Sequence, residues 1–365
     1  MKASSRPTLY VAITNHGYGH ATRMAAVLAE VAQRCPEILL ILVTAAPRSL
    51  LESYLPGVEF IYRPRTFDVG VIQSDGITMD KMATRSQLLD IQQRQFQIIA
   101  AEVNFMRLNG VQLVLGDIPP LAAQMARVAG IPCWMASNFG WDFIYRAWGD
   151  PFTTIVTWIQ DCFSQCDQLF RLPFHEEMAA FPHRIDVGLT GGSPRYALQA
   201  LREHFGIHTP PERTVLLTFG GLGLQAIPYA TLAHFPDWQF LTFDRHAPKL
   251  PNLIAIQDPA YRPVDLMPLC HCILSKPGYG TFSEACRVGV PIVTLTREDF
   301  AESPLLFQGI QNHSLHHIIT PDTFFHGSWD FLNQPFEKPK VSPSQSTLRH
   351  DGNQTIATAI VDFFS

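Results

Sequence analysis

Charge is scarce in this chain. Only 16% of its 365 residues are charged, the formal net charge is −5, and no block of lysine or arginine occurs anywhere. A nucleic-acid binder carries a basic footprint, so that class is excluded. The same shortage speaks against strong attraction to anionic membranes. Long apolar runs are missing as well. The first, Leu9 to Ile13, is cut off by Asn15 and His16, too soon for a signal-peptide core or a membrane span. The seven cysteines are odd in number and irregularly spaced, which does not fit a secreted disulfide framework. No fixed-period repeat and no low-complexity segment is present. A soluble, cytoplasmic protein is expected, with peripheral contact at the inner face of a membrane left open.

What is there is apolar material in the amount a large core needs. Hydrophobic residues make up 47% of the chain, and its length suits two domains. Short apolar runs at 9–13, 38–44, 58–62, 111–115 and 132–136 read as strands. Helical spacing separates them, at 21–32, 82–106 and 121–128. That alternation predicts a doubly wound parallel sheet. A second cycle starts with the strand at 214–219, after a stretch holding Gly206 and Pro210-Pro211. We therefore expect an N-terminal domain over 1–195 and a C-terminal one over 209–345, with an amphipathic helix at 353–365 packing back on the first.

Two loops stand out. One is Asn15-His16-Gly17-Tyr18-Gly19-His20-Ala21-Thr22-Arg23, the other Ser275-Lys276-Pro277-Gly278-Tyr279-Gly280-Thr281-Phe282-Ser283-Glu284. Each joins a predicted strand to a predicted helix, the arrangement that aims backbone N–H groups and a helix dipole at an anion. In the second loop Gly278, Gly280 and Thr281 would meet a phosphate. Glu284, one turn on, would accept from both hydroxyls of a ribose. The same residues read as a plain capping box, with Thr281 as N-cap and Glu284 three residues later. Gly220-Gly221-Leu222-Gly223 ends another strand of this half and would line the same crevice. It lacks the Gly-Lys-Ser/Thr of a P-loop and the full G-x-G-x-x-G of a dehydrogenase.

In the first loop His16 and His20 flank glycines. Without a cysteine or a carboxylate trio nearby they make a weak case for zinc, and no metal site is expected. His20 as a general base needs an orienting partner. Asp117, ending a later strand of the same sheet, is placed to be one. Equally, His20 caps its helix and Asp117 starts the turn before Pro119-Pro120. Arg23 reaches either the cleft or a structural ion pair. Asn138, Trp141 and Asp142 follow a strand end as acceptor contacts, or Asp142 is a helix N-cap. The aromatic tract from Trp134 to Phe174 is core packing for most of its length, or else an apolar acceptor wall.

With Ser137-Asn138-Phe139-Gly140-Trp141-Asp142-Phe143-Ile144-Tyr145, Arg171-Leu172-Pro173 and Arg297-Glu298-Asp299-Phe300-Ala301-Glu302-Ser303-Pro304, these loops make the chain resemble the GT-B glycosyltransferases. It is similar to the glycosyltransferase-like N-terminal region of plant L-arabinokinase. It also resembles the peptidoglycan N-acetylglucosaminyltransferase and diacylglycerol galactosyltransferase group. The resemblance implies an α/β fold of two Rossmann-like, doubly wound domains facing a cleft. It implies inverting, metal-independent glycosyl transfer without a cofactor, from a nucleotide-sugar (a UDP-sugar foremost) to a hydroxyl of a small-molecule, lipid or glycan acceptor. On the donor side it places Gly220, Gly221, Arg262, Gly278, Tyr279, Gly280, Thr281, Glu284, Asp299 and Glu302. His20 with Asp117 would be the base. His16, Gly17, Gly19, Arg23, Asn138, Trp141 and Asp142 fall on the acceptor side. No kinase activity is implied, and the plant enzymes' long donor signature is absent. Two other readings stand beside transfer: a catalytically silent nucleotide-sugar sensor or partner subunit, and a UDP-sugar epimerase of the same fold. No oligomeric state follows.

Overall fold

A computed structural model describes residues 6–14, 16–73, 79–220, 227–342 and 344–365. The first half runs β1 (Thr8–Ile13), α1 (Gly19–Arg34), β2 (Leu39–Val43), α2 (Arg48–Tyr54), β3 (Phe60–Arg63), α3 (Lys81–Leu108), β4 (Leu113–Asp117), α4 (Leu121–Ala129) and β5 (Cys133–Ser137). Then come α5 (Trp141–Arg146), α6 (Thr153–Phe163), β6 (Gln168–Arg171) and β7 (Arg184–Asp186). The second half begins with α7 (Leu198–Phe205) and β8 (Thr214–Thr218), then β9 (Gln239–Thr242), β10 (Leu253–Ala255) and α8 (Pro263–Leu266). It continues through β11 (Cys272–Ser275), α9 (Tyr279–Val288), β12 (Ile292–Leu295), α10 (Glu302–His313) and β13 (His316–Ile319). Helices α11 (Pro321–His326) and α12 (Gly352–Phe364) finish the chain.

The strands pair in parallel into two sheets, in the orders β3-β2-β1-β4-β5-β6-β7 and β10-β9-β8-β11-β12-β13. Parallel strands covered by helices on both faces need apolar side chains on both faces. Accordingly β1, β4, β8, β11 and β12 are buried along their whole length. Strand order reverses between β1 and β4 in one sheet and between β8 and β11 in the other, and such switch points open a crevice beyond the carboxyl ends of the strands. Register fixes what stands at each: Ile13 pairs with Asp117, and Ser275 with Thr218. Both glycine loops leave from these ends.

Helix α9 starts one residue after Gly278, which is its N-cap. The capping box expected at Thr281 is not formed, because the helix begins three residues earlier than that cap requires and Thr281 lies inside its first turn. The aromatic tract lies mostly in the core of the first half: Trp141, Tyr145, Phe152 and Phe163 are fully buried. Helix α12 returns to α1, where Arg34 Nη1 donates to Thr358 Oγ1 at 2.6 Å, and Phe363 meets the Trp134 ring edge-on at 5.5 Å. Among the described residues no helix is long and apolar enough to cross a membrane.

Candidate active site

Asp117 is the last residue of β4, and His20 the second of α1. The switch point brings them together: His20 Nδ1 lies 2.8 Å from Asp117 Oδ1. Burial pushes the Asp117 carboxyl up, but Arg23 and His20 outweigh it and hold the group below its ordinary value. An ionised carboxylate only accepts. The proton between the two therefore sits on Nδ1, and Nε2 is the basic nitrogen of His20. Arg23 forks onto the same carboxylate, Nη2 to Oδ1 at 2.6 Å and Nε to Oδ2 at 2.7 Å. Its Nη2 is 2.9 Å from His20 Nδ1, a contact of two donors sharing one acceptor.

His16 is set differently. Its Nδ1 accepts from the Val71 N–H at 3.3 Å, which leaves the proton on Nε2. Burial, then Arg297, His20 and Lys276, push its pKa well below the ordinary value, so it stays neutral. The His16 ring stacks on Phe300 at 5.6 Å and stands edge-on to Trp141 at 5.3 Å. Phe139 closes on His20 at 5.8 Å. His20 thus sits among rings rather than in open water.

Between the halves lies a cavity of about 100 Å³. Gly17, Gly19, His20 and Arg23 line it from one side, and Gly220, the 278–281 loop and Glu302 from the other. A Cβ placed on Gly280 would stand 3.3 Å from the Cα of Gly19, so the two loops touch glycine to glycine. Gly220 has φ +72°, a conformation natural to glycine. Lys276 and Arg297 line the same space. Neither was assigned a role from sequence, although Lys276 precedes the glycine loop and Arg297 opens the tract holding Glu302. A larger cavity of about 770 Å³ continues into the first half, sharing His16, Gly17, Tyr18 and Gln73 with the smaller one.

The other expected residues are spread more widely. Asn138 is fully buried and bridges the halves, accepting from Arg23 Nη1 at 2.9 Å and donating to Glu302 Oε1 at 2.8 Å. Burial raises the pKa of Glu302 against the lowering effect of Asn138 and of His20. Trp141 lies behind the wall and donates from Nε1 to Thr14 Oγ1 at 2.9 Å. Asp142 sits in the first turn of α5, accepting from Arg146 at 3.0 Å and Gln160 at 3.2 Å. Asp299 is on the surface beside Lys81 at 3.2 Å, with φ +62°. Arg262 pairs with Asp265 at 2.8 Å and covers the Tyr54 ring at 4.6 Å. Glu284 is buried one helical turn past the loop and does not line the cavity. It accepts from the Tyr54 hydroxyl at 3.0 Å and the Gly192 N–H at 2.8 Å, and burial pushes its pKa up to about 7. Gly221 lies outside the described residues.

Two facing parallel-sheet units, each with its glycine loop at a switch point, match known structures over the whole chain. Medicago truncatula UGT71G1 complexed with UDP-glucose superposes with a TM-score of 0.62 at 13% identity, covering 100% of this chain and 99% of that one. The fold is GT-B. A glycotransferase of kitacinnamycin shares this GT-B fold at TM-score 0.62 and 16% identity, over 98% of this chain and 99% of its own. Arabidopsis thaliana UGT89C1 complexed with quercetin does so at TM-score 0.61 and 12% identity, over 98% and 94%. In sequence, the GT-B chain is 30% identical over 318 residues to Arabidopsis thaliana L-arabinokinase, a match covering 84% of this chain. It spans only 30% of that relative's length. No family model matches the chain.

Proposed function

We propose that this protein is an inverting, metal-independent glycosyltransferase that moves a sugar from a nucleotide-sugar, a UDP-sugar foremost, to an acceptor hydroxyl. One observation carries the reading: a hydrogen-bonded His20–Asp117 pair lies at the cavity between two glycine loops, with His20 in the tautomer that leaves Nε2 basic. A sensor of nucleotide-sugars needs no such pair. In the proposed reaction Nε2 takes the acceptor's proton as its oxygen attacks the anomeric carbon. The bond from that carbon to the diphosphate oxygen breaks on the opposite face, and the nucleoside diphosphate leaves. Asp117 stabilises the imidazolium, which is the ordinary work of an orienting carboxylate. Backbone N–H groups of the 278–281 loop and the α9 dipole take up the leaving charge, with Lys276 and Arg297 beside them.

Glu284 is the ribose partner in this reading. Donor binding then exchanges its contacts with Tyr54 and Gly192 for ribose hydroxyls. The UDP-glucose and quercetin complexes of the structural neighbours support the donor and acceptor sides of the proposal. The test is UDP release from a panel of UDP-sugars, with the product's anomeric configuration read by NMR. Asp117→Asn is expected to lower turnover about 100- to 10,000-fold while donor affinity holds within about twofold. Unchanged turnover would remove the pair from the mechanism, and activity lost to a chelator would overturn metal independence.

A further inference from the structure

The acceptor class is written in the larger cavity. Its volume, about 770 Å³, falls within the range of about 300–1,000 Å³ usual for small-molecule sites. Sites for flat aromatic ligands are lined mainly by apolar and aromatic side chains. Here His16 and Tyr18 are the only rings among the described lining residues. The deep end is polar instead. Thr14, Thr44 and Asp68 line it and are all buried. Arg94, the one basic residue in the described lining, is exposed at the rim and ion-paired with Asp90. Val71, Ile91 and Ile98 form an apolar flank.

The polar end is held in a fixed state. Trp141 donates from Nε1 to Thr14 Oγ1 at 2.9 Å, so the Thr14 hydroxyl turns its own proton to Asp68 Oδ2. The Thr14 N–H donates to the Asp117 carbonyl at 3.1 Å, which ties this end to the strand that carries the base's partner. Asp68 thus accepts from Thr14, and each oxygen of a carboxyl group can accept more than one hydrogen bond. A buried carboxyl with hydroxyls beside it suits a ligand rich in O–H groups, and Arg94, already paired with Asp90, gives an anion little in return. Gln73 lines both cavities, and its Nε2 is buried with no hydrogen-bond partner among the described residues. It supplies a donor where the two spaces join.

We infer that the larger cavity binds a small, uncharged polyhydroxylated molecule, a free sugar or polyol, and that Asp68 and Thr44 select it by its hydroxyls. Its role as acceptor rests on the transferase reading; its binding does not. The molecule would enter past the α3 rim, seat its hydroxyls on Asp68 and Thr44, and present one of them through the His16–Gln73 junction toward His20.

The experiment pairs binding with turnover. D-Glucose, D-xylose, myo-inositol, D-glucuronate and quercetin are titrated by saturation-transfer NMR, then offered with the UDP-sugar panel while UDP release is followed. Wild type, Asp68→Asn and the isosteric Thr44→Val are compared, with thermal melts confirming that each folds. The expected result is binding and glycosylation of at least one neutral polyol, with glucuronate at least tenfold weaker. Asp68→Asn should raise the polyol's KM at least tenfold, and Thr44→Val several-fold, with donor KM unchanged. Transfer to quercetin while every polyol is ignored would overturn the acceptor class and leave the transferase standing. Polyol binding lost in Asp68→Asn, with no UDP released from any donor, would uphold the site and sink the transferase reading. No polyol binding by wild type would overturn the inference outright.

Discussion

Arg23 shows how much one buried side chain can be asked to do. It neutralises Asp117, holds Asn138 Oδ1, donates to Ser137 Oγ at 3.0 Å and covers the Tyr279 ring at 5.1 Å. Asp117 is fully buried, so without Arg23 its charge would be left with His20 alone. Breaking a buried pair from one side costs about 3–5 kcal/mol. Arg23→Met is therefore expected to lose that much stability in urea unfolding, and Arg23→Met with Asp117→Asn to recover part of it. From sequence, His20 and Asp117 were legible as a pair because strand-end loops converge. Whether Arg23 reached the cleft or an ion pair was not, since both need the same residue at the same spacing. The structure shows that it does both.

Between elements, α2 and α9 meet through Tyr54 and Glu284. Burial is the largest influence on this carboxyl and moves it from 4.5 to about 7, against the lowering effects of Gly192, Tyr54 and Arg262. Between those values the folded protein holds a proton that the unfolded chain has released. Stability is then full below the ordinary carboxyl range and falls as pH rises to about 7, by about 3 kcal/mol in all. Glu284→Gln should abolish that slope, as read from denaturant unfolding at pH 5 and pH 8. A wild type with no such slope would show that Glu284 titrates normally. The helical and strand periodicities carried most elements into view, but not β7, whose three residues are all exposed and leave no apolar pattern. The start of α9 was displaced for a related reason. Gly278 caps it through the backbone, with no side-chain hydrogen bond, and a cap of that kind has no signature in side-chain chemistry.

At the scale of the whole molecule, the two halves meet at contacts of unequal worth. Lys81 with Asp299 is exposed, and such a pair is worth at most about 1 kcal/mol. Asn138 with Glu302 is buried and ties α10 to the strand end that follows β5. The two glycine loops themselves meet at Gly19 against Gly280. Gly280→Ala would press a methyl group to 3.3 Å from the Gly19 Cα, with backbone and not a flexible side chain in its way. The halves must then part by a few tenths of an ångström. Catalysis between facing loops is sensitive to such misplacement, about 100-fold for 1 Å. A fall of about tenfold or more in kcat/KM is expected for Gly280→Ala, with an unchanged melting temperature. Full activity in that variant would show that the loops separate during turnover.

Local chemistry is what the sequence alone determined. Apolar runs of strand length, helical spacing between them, and glycine loops after strands follow from backbone sterics and burial, which act over a few residues. So do the two sheets and the presence of a histidine base candidate with a carboxylate partner. Tertiary structure decided everything that depends on which side chain arrives first at a buried polar atom. It gave Glu284 to Tyr54 and Gly192, Asn138 to Arg23 and Glu302, and Trp141 to Thr14. It also sent the aromatic tract mostly into the core and placed Asp68 and Thr44, which no motif marks, at the deep end of the larger cavity. A buried donor or acceptor is costly to leave unpaired, and its partner comes from wherever the fold brings the chain, here often more than 90 residues away.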